Sequence, residues 1–173
     1  MLFRSNDYDY CLVHLMEQEP AYRDYFLTAR NVYDREVFLD TSVFELGTAF
    51  DPVKYMGWAE QIRPNLMIIP DVLEDSAATQ SSWKLFTENF KDRLNALDAR
   101  RIGVVQGKTM AEVIDCYGFM SAYADVIAIS FDMSFLEETG EGNTKLERLC
   151  SGRPRLIDRL INRGYWKIGR AHV

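Results

Sequence analysis

The sequence predicts an α/β fold built on a parallel sheet. Short apolar, β-branched segments alternate with longer amphipathic ones along the whole chain, the pattern of βα units rather than of a hairpin meander. Each apolar segment ends in a polar or glycine-bearing tip before the chain turns into a helix. The composition fits one globular domain with a sizeable core: 173 residues, 47% hydrophobic and 27% charged.

Taken in order, Cys11–Met16 (CLVHLM) reads as the first strand, with His14 a core histidine inside it. Pro20–Arg30 follows as a helix opened by an N1 proline. Glu36–Leu39 forms the second strand and runs into Asp40. Asp51 is a cap for a helix over Pro52–Arg63 that Pro64 stops. The third strand, Leu66–Ile69, runs into Pro70-Asp71, and one long helix is expected over Ser76–Ala99. Arg101–Val105 leads into Gln106-Gly107, a helix over Thr109–Ala124 follows, and Val126–Ile129 leads into Ser130. The last helix is expected in two parts, Thr144–Cys150 and Pro154–Arg163, interrupted by Ser151-Gly152-Arg153 and ended by Gly164.

In a parallel sheet the strand tips share one edge, so Asp40, Asp71, Gln106-Gly107 and Ser130 are expected around a single pocket. Neither G-x-G-x-x-G nor G-x-x-x-x-G-K-[ST] occurs, which leaves the dinucleotide and P-loop readings without a motif and favours a barrel. The expected fold is therefore of the (β/α)8 TIM-barrel type. Eight units need about 250 residues, so this barrel is expected to be truncated after about five βα units. Residues 1–167 are read as the N-terminal part of that single domain, with Tyr165–Ile168 starting a sixth strand. Residues 168–173 (IGRAHV) match read-through into a sequencing adapter and are read as a non-native tail. An open sheet of this kind leaves two edges, which favours aggregation or a homo-oligomer.

The net charge of −6 argues against a general nucleic-acid binder, yet residues 144–173 carry eight lysines and arginines against Glu147 and Asp158. That local excess is either a phosphate-facing stripe or a solvated helix face. Cys11, Cys116 and Cys150 form no C-x-x-C pair, so no metal site is expected within these residues. The apolar runs fall well short of the roughly 20 residues that span a bilayer, and Met1–Tyr10 has no signal-peptide core. The expectation is a cytoplasmic chain with no membrane partner.

The strand tips, in order, resemble the tRNA-guanine transglycosylase family and its phage-borne, DNA-modifying relatives. Phe38-Leu39-Asp40-Thr41-Ser42-Val43-Phe44 stands where the family has Asp-Ser-Gly-Gly, keeping the aspartate and losing both glycines. Ile69-Pro70-Asp71-Val72-Leu73 is similar to a strand ending in Asp-x-Cys, with leucine in place of cysteine. Gly103-Val104-Val105-Gln106-Gly107-Lys108 matches Gly-Ile-Val-Gln-Gly-Gly with one glycine replaced by Lys108. Ala128-Ile129-Ser130-Phe131-Asp132 is similar to Ala-Ile-Gly-Gly-Leu, with both glycines changed.

The resemblance implies a (β/α)8 barrel that replaces guanine in tRNA or DNA with a 7-deazaguanine through an aspartyl–ribose intermediate. Under it Asp71 accepts from the N1–H and exocyclic amine of a purine or 7-deazapurine base. Gln106 serves O6, Gly107 and Ser130 bring backbone groups close, and Asp40 handles the proton of the leaving and incoming bases. The family's nucleophile lies on a later strand and its zinc ligands later still. No cofactor is therefore expected in this chain, any zinc would lie in a missing C-terminal part, and the fragment is expected to be inactive. Two other readings stay open: a non-catalytic transglycosylase-like partner subunit, and a barrel glycoside hydrolase working through Asp40, Asp71 and Asp132. Asp40 and Asp71 each also have a competing role as a turn or helix cap.

Overall fold

The structure, a computed structural model, describes residues 8–130, 133–162 and 164. The expected sixth strand from Tyr165, the tail 168–173, and Asp132, Arg163, Lys167 and Arg170 lie outside the described residues.

The first strand, β1 (Tyr8–Leu12), ends earlier than the sequence suggests, and Val13–Gln18 is a helix, α1. Val13 and Met16 are both fully buried. Residues three apart share a face in a helix and fall on opposite faces in a strand, so the apolar run CLVHLM is split between the two. His14 accordingly sits on α1, half-buried, rather than in a strand. Glu19, extended at φ −124° and ψ 97° as a residue before proline must be, separates α1 from α2 (Pro20–Asn31).

The second strand, β2 (Glu36–Asp40), is followed by the short α3 (Val43–Leu46) and by α4 (Pro52–Ile62). Asp51 caps α4 as expected, its carboxylate accepting from the Lys54 amide at 2.8 Å, and Arg63 closes the helix in a left-handed turn, φ 55°. Strand β3 (Leu66–Ile68) leads to α5 (Ser76–Asn89) and α6 (Lys91–Ala96). The single long helix expected there breaks at Phe90, where φ −112° and ψ 20° leave the helical region; Phe90 packs on Phe86 and Leu94 is buried. Strand β4 (Arg100–Val105) leads to α7 (Met110–Tyr123), which opens on a capping box between Thr109 and Glu112. Strand β5 (Val126–Ile129) is followed by α8 (Ser134–Thr139) and α9 (Lys145–Asn162).

Helix α9 is continuous, so Ser151-Gly152-Arg153 does not interrupt it. Gly152 lies where α9 crosses α8: a Cβ there would fall 2.1 Å from the Leu136 carbonyl oxygen. The glycine is a point of close approach and not a break. Pro154 stays within the helix on its exposed side.

All strand pairs are parallel and lie in the order β1-β2-β3-β4-β5, with no reversal along the sheet. Strand residues alternate between two faces. Cys11, Val37, Leu39, Met67 and Val105 join the main core with the helices, around Tyr55, Trp83, Tyr117 and Met120. Leu66, Ile68, Ile102 and Val104 form a second cluster with Phe38, Val126 and Ala128, made of strand residues alone. The helices therefore pack on one face, and the other face runs up to the C-terminal strand ends. No helix among the described residues is long and apolar enough to cross a membrane.

Candidate functional site

At those strand ends a cavity of about 380 Å³ opens over the second face of the sheet. Its floor is apolar, built from Leu12, Ile68, Val104 and Ala128, and successive strand tips bring polar groups to it. Asp40 is the last residue of β2, Asp71 follows β3, Gln106 follows β4 and Ser130 follows β5. Of the five residues expected at the pocket, these four line it. Gly107 does not. A Cβ at Gly107 would meet Glu112 Cβ and the Val113 amide nitrogen, each at 2.9 Å, so this glycine lets β4 turn tightly into α7.

The centre of the site is a fixed carboxylate–amide pair. Asp71 is 2% exposed, and its Oδ2 accepts from Gln106 Nε2 at 2.7 Å. Gln106 is in turn oriented by the Glu74 amide, which donates to its Oε1 at 3.0 Å. Glu74 reaches that position through a left-handed backbone, φ 56°. Asp71 Oδ1 is buried and has no hydrogen-bond partner among the described residues. A buried carboxylate oxygen without a donor is unfavourable in isolation, and it marks a place where a ligand N–H would be welcome. Burial pushes the Asp71 carboxyl up to about 6; the Gln106 bond opposes the shift and the charge of Asp40 adds to it. Asp71 does not cap α5. That role belongs to Asp75, which accepts from the Ala78 amide at 2.9 Å.

Asp40 is held from two sides. Its Oδ1 accepts from the Ser42 amide, and its Oδ2 accepts from the Tyr10 hydroxyl. The turn-capping reading of Asp40 is therefore correct as far as it goes, and the same carboxylate also faces the cavity. Burial raises its ionisation range, and the two donors oppose that rise. Ser42 carries the turn at φ 58°, and its hydroxyl accepts from the His14 amide at 3.3 Å.

Two lining residues escaped the sequence reading, Tyr10 of β1 and Glu45 of α3; a third, Arg153 of α9, belongs to the basic 144–173 segment that the sequence offered as a phosphate-facing stripe. Tyr10 shares its strand with the buried Cys11 and so points to the opposite face, a signal visible once the first strand is set at Tyr8–Leu12. Glu45 lies on the short α3 just past the β2 tip, and no local pattern marks it. The arginines of α9 are engaged largely within the protein. Arg148 pairs with Glu137 at 2.6 Å, and Arg155 pairs with Glu141 and donates to the Thr139 carbonyl at 2.9 Å. Among the described residues, no group of three or more His, Cys, Asp or Glu side chains is arranged to hold a metal ion.

No family model matches the chain, and no curated protein matches it at a significant level.

Proposed function

We propose that this cavity binds a guanine-type base, and that the chain carries the base-recognition part of a transglycosylase exchanging guanine in tRNA or DNA for a 7-deazaguanine. The observation that carries the reading is the bare, buried Oδ1 of Asp71 beside an immobilised Gln106. An ionised carboxylate is an acceptor only, suited to the paired N1–H and N2–H donors of guanine, and Gln106 Nε2 keeps a second N–H for a carbonyl such as O6. Asp40, ionisable and at the same cavity, is suited to proton handling at the base.

Two further features support this reading. Ser42 stands where the resembled segment has its first glycine, and it adopts a left-handed backbone, φ 58°, that glycine adopts readily. The unreversed strand order, with helices on one face and the cavity at the C-terminal edge of the other, fits consecutive units of a (β/α)8 barrel. A glycoside hydrolase would use a carboxylate pair and has no role for a glutamine clamped between Asp71 and a backbone amide.

Isothermal calorimetry of the full chain with guanine, with adenine as the control, tests the proposal. Guanine is expected to bind above pH 7 and adenine is not. Asp71→Asn is expected to weaken guanine by roughly 10- to 100-fold, the worth of a charge-assisted hydrogen bond. Equal affinity of wild type and Asp71→Asn would remove the base from this cavity.

A further inference from the structure

The two cavity carboxylates differ in what holds them. Asp40 receives a donor on each oxygen, the Tyr10 hydroxyl on Oδ2 and the Ser42 amide on Oδ1. Asp71 receives Gln106 on Oδ2 and nothing on Oδ1 among the described residues. Hydrogen bonds donated to a carboxylate favour its charged form, and two carboxylates at one cavity compete to keep a single proton. Among the other described titratable groups, His14 from α1 lowers the ionisation range of Asp40 and Glu45 from α3 raises it, Cys11 of β1, Tyr22 of α2 and Tyr55 of α4 lie within reach of its charge, and Arg153 of α9 lines the same cavity. The side-chain donor on Asp40 is the Tyr10 hydroxyl, which together with the Ser42 amide gives Asp40 two donors against the single Gln106 donor on Asp71.

Tyr10 is well placed for this. It lies on β1, on the face opposite Cys11, and its ring lines the cavity, so the phenol reaches across to the end of the neighbouring β2. The backbone beneath it is fixed: β1 pairs with β2 from Tyr8↔Glu36 to Leu12↔Asp40, and the Tyr10 carbonyl accepts from the Tyr22 hydroxyl at 3.4 Å.

We propose that Tyr10 is a positioning residue that keeps Asp40 the ionised, proton-accepting member of the Asp40–Asp71 pair, so that the first proton taken up on acidification goes to Asp71. This assignment concerns the protein's own carboxylates and does not depend on which ligand enters the cavity. Its consequence is that Asp40 stays available as a base through the pH range in which Asp71 loses its acceptor character.

The test is a carboxyl ¹³C titration of the full chain with labelled aspartate, the two resonances assigned with Asp40→Asn and Asp71→Asn. In the wild type Asp71 is expected to titrate first on acidification. In Tyr10→Phe the Asp40 midpoint is expected to rise by about one pH unit and that of Asp71 to fall, while Tyr8→Phe, on the same strand and face, moves neither. The reciprocal measurement reads Tyr10 itself: Asp40→Asn is expected to lower the pH at which the Tyr10 phenol ionises, because that carboxylate now helps to hold the phenol protonated. An Asp40 midpoint unchanged in a folded Tyr10→Phe overturns the proposal. Should Tyr10→Phe not fold, a Tyr10 phenol unmoved by Asp40→Asn overturns it alone. Guanine calorimetry is independent of both, so a chain that shows the titration shift and binds no guanine keeps this inference and loses the base-exchange reading.

Discussion

Gln106 Nε2 donates to Asp71 Oδ2 at 2.7 Å, and this bond joins the ends of two adjacent parallel strands through side chains that are both almost fully buried. The amide is not free to turn, because its oxygen accepts from the Glu74 backbone. One glutamine therefore fixes a carboxylate and the loop that follows it, and its loss has effects on both.

Gln106→Leu keeps the volume and removes both hydrogen bonds. Asp71 Oδ2 is then left buried without this donor and the Glu74 amide loses this acceptor, which costs about 1–3 kcal/mol. The variant is expected to lose that much stability in urea unfolding at pH 7. Its Asp71 carboxyl is expected to titrate at still higher pH, since the bond that favours the charged form is gone. Wild-type stability in Gln106→Leu would show that the pair bears no load in the fold.

Asp71 also sets a pH dependence. Its carboxyl is raised from 3.8 to about 6 in the folded protein, so the folded state binds the extra proton between these values. The stabilising contribution is complete below the unfolded value and is lost as pH rises through about 6. Against wild type, Asp71→Asn is expected to gain up to about 3 kcal/mol at pH 7.5, and the gain is expected to shrink to roughly 0.5 kcal/mol by pH 4. Denaturation curves of the two proteins across pH 4–8 give this difference directly, and a difference that grows toward low pH contradicts it.

The sequence made the strand tips legible because each is a local event: an apolar run meets Asp40, Asp71, Gln106 or Ser130 and stops. What it hid depended on contacts between distant segments. The split of CLVHLM into strand and helix follows from what buries Val13 and Met16, and alternation of hydropathy over six residues does not separate the two. The continuity of α9 through Gly152 and Pro154 is set by the crossing with α8, which no local pattern announces. Gly107 misled for the opposite reason, since its resemblance to a binding glycine and its role in the turn into α7 share one signal. The capping box at Thr109-Met110-Ala111-Glu112 was open to reading from its T-x-x-E spacing alone.

Tyr55 ties the site's two aspartate-bearing strands together from beneath. It is fully buried on α4, and its hydroxyl lies 2.7 Å from the Ile68 carbonyl and 3.1 Å from that of Leu39, the residues that end β3 and precede Asp40. Tyr55→Phe preserves the packing and leaves both carbonyls without this donor. It is expected to cost about 1–2 kcal/mol and to increase hydrogen exchange at the ends of β2 and β3 ahead of the other strands. Uniform exchange across the sheet would count against a local role.

Two glycines distinguish a tight contact that can yield from one that cannot. At Gly103 an added Cβ meets Met120 Sδ at 2.5 Å and Ala124 Cβ at 3.0 Å; the nearest obstacle is the end of a flexible thioether side chain. At Gly152 it meets the Leu136 carbonyl oxygen at 2.1 Å and its carbonyl carbon at 2.9 Å, which are backbone atoms of a helix. Methionine can change rotamer, whereas α8 can yield only by moving as a body or separating from α9. Gly103→Ala is therefore expected to lose about 1–2 kcal/mol, within the usual range for overpacking, and to keep its cavity. Gly152→Ala is expected to lose about 3 kcal/mol or more, the upper end of that range, and to displace α9 together with Arg153, the residue it contributes to the cavity wall. Chemical denaturation of the two variants, with fluorescence of a probe attached at the exposed Cys150 of α9, separates the effects. A Gly152→Ala variant as stable as Gly103→Ala, with an unchanged probe signal, would show that α8 and α9 are not held at the observed distance in solution.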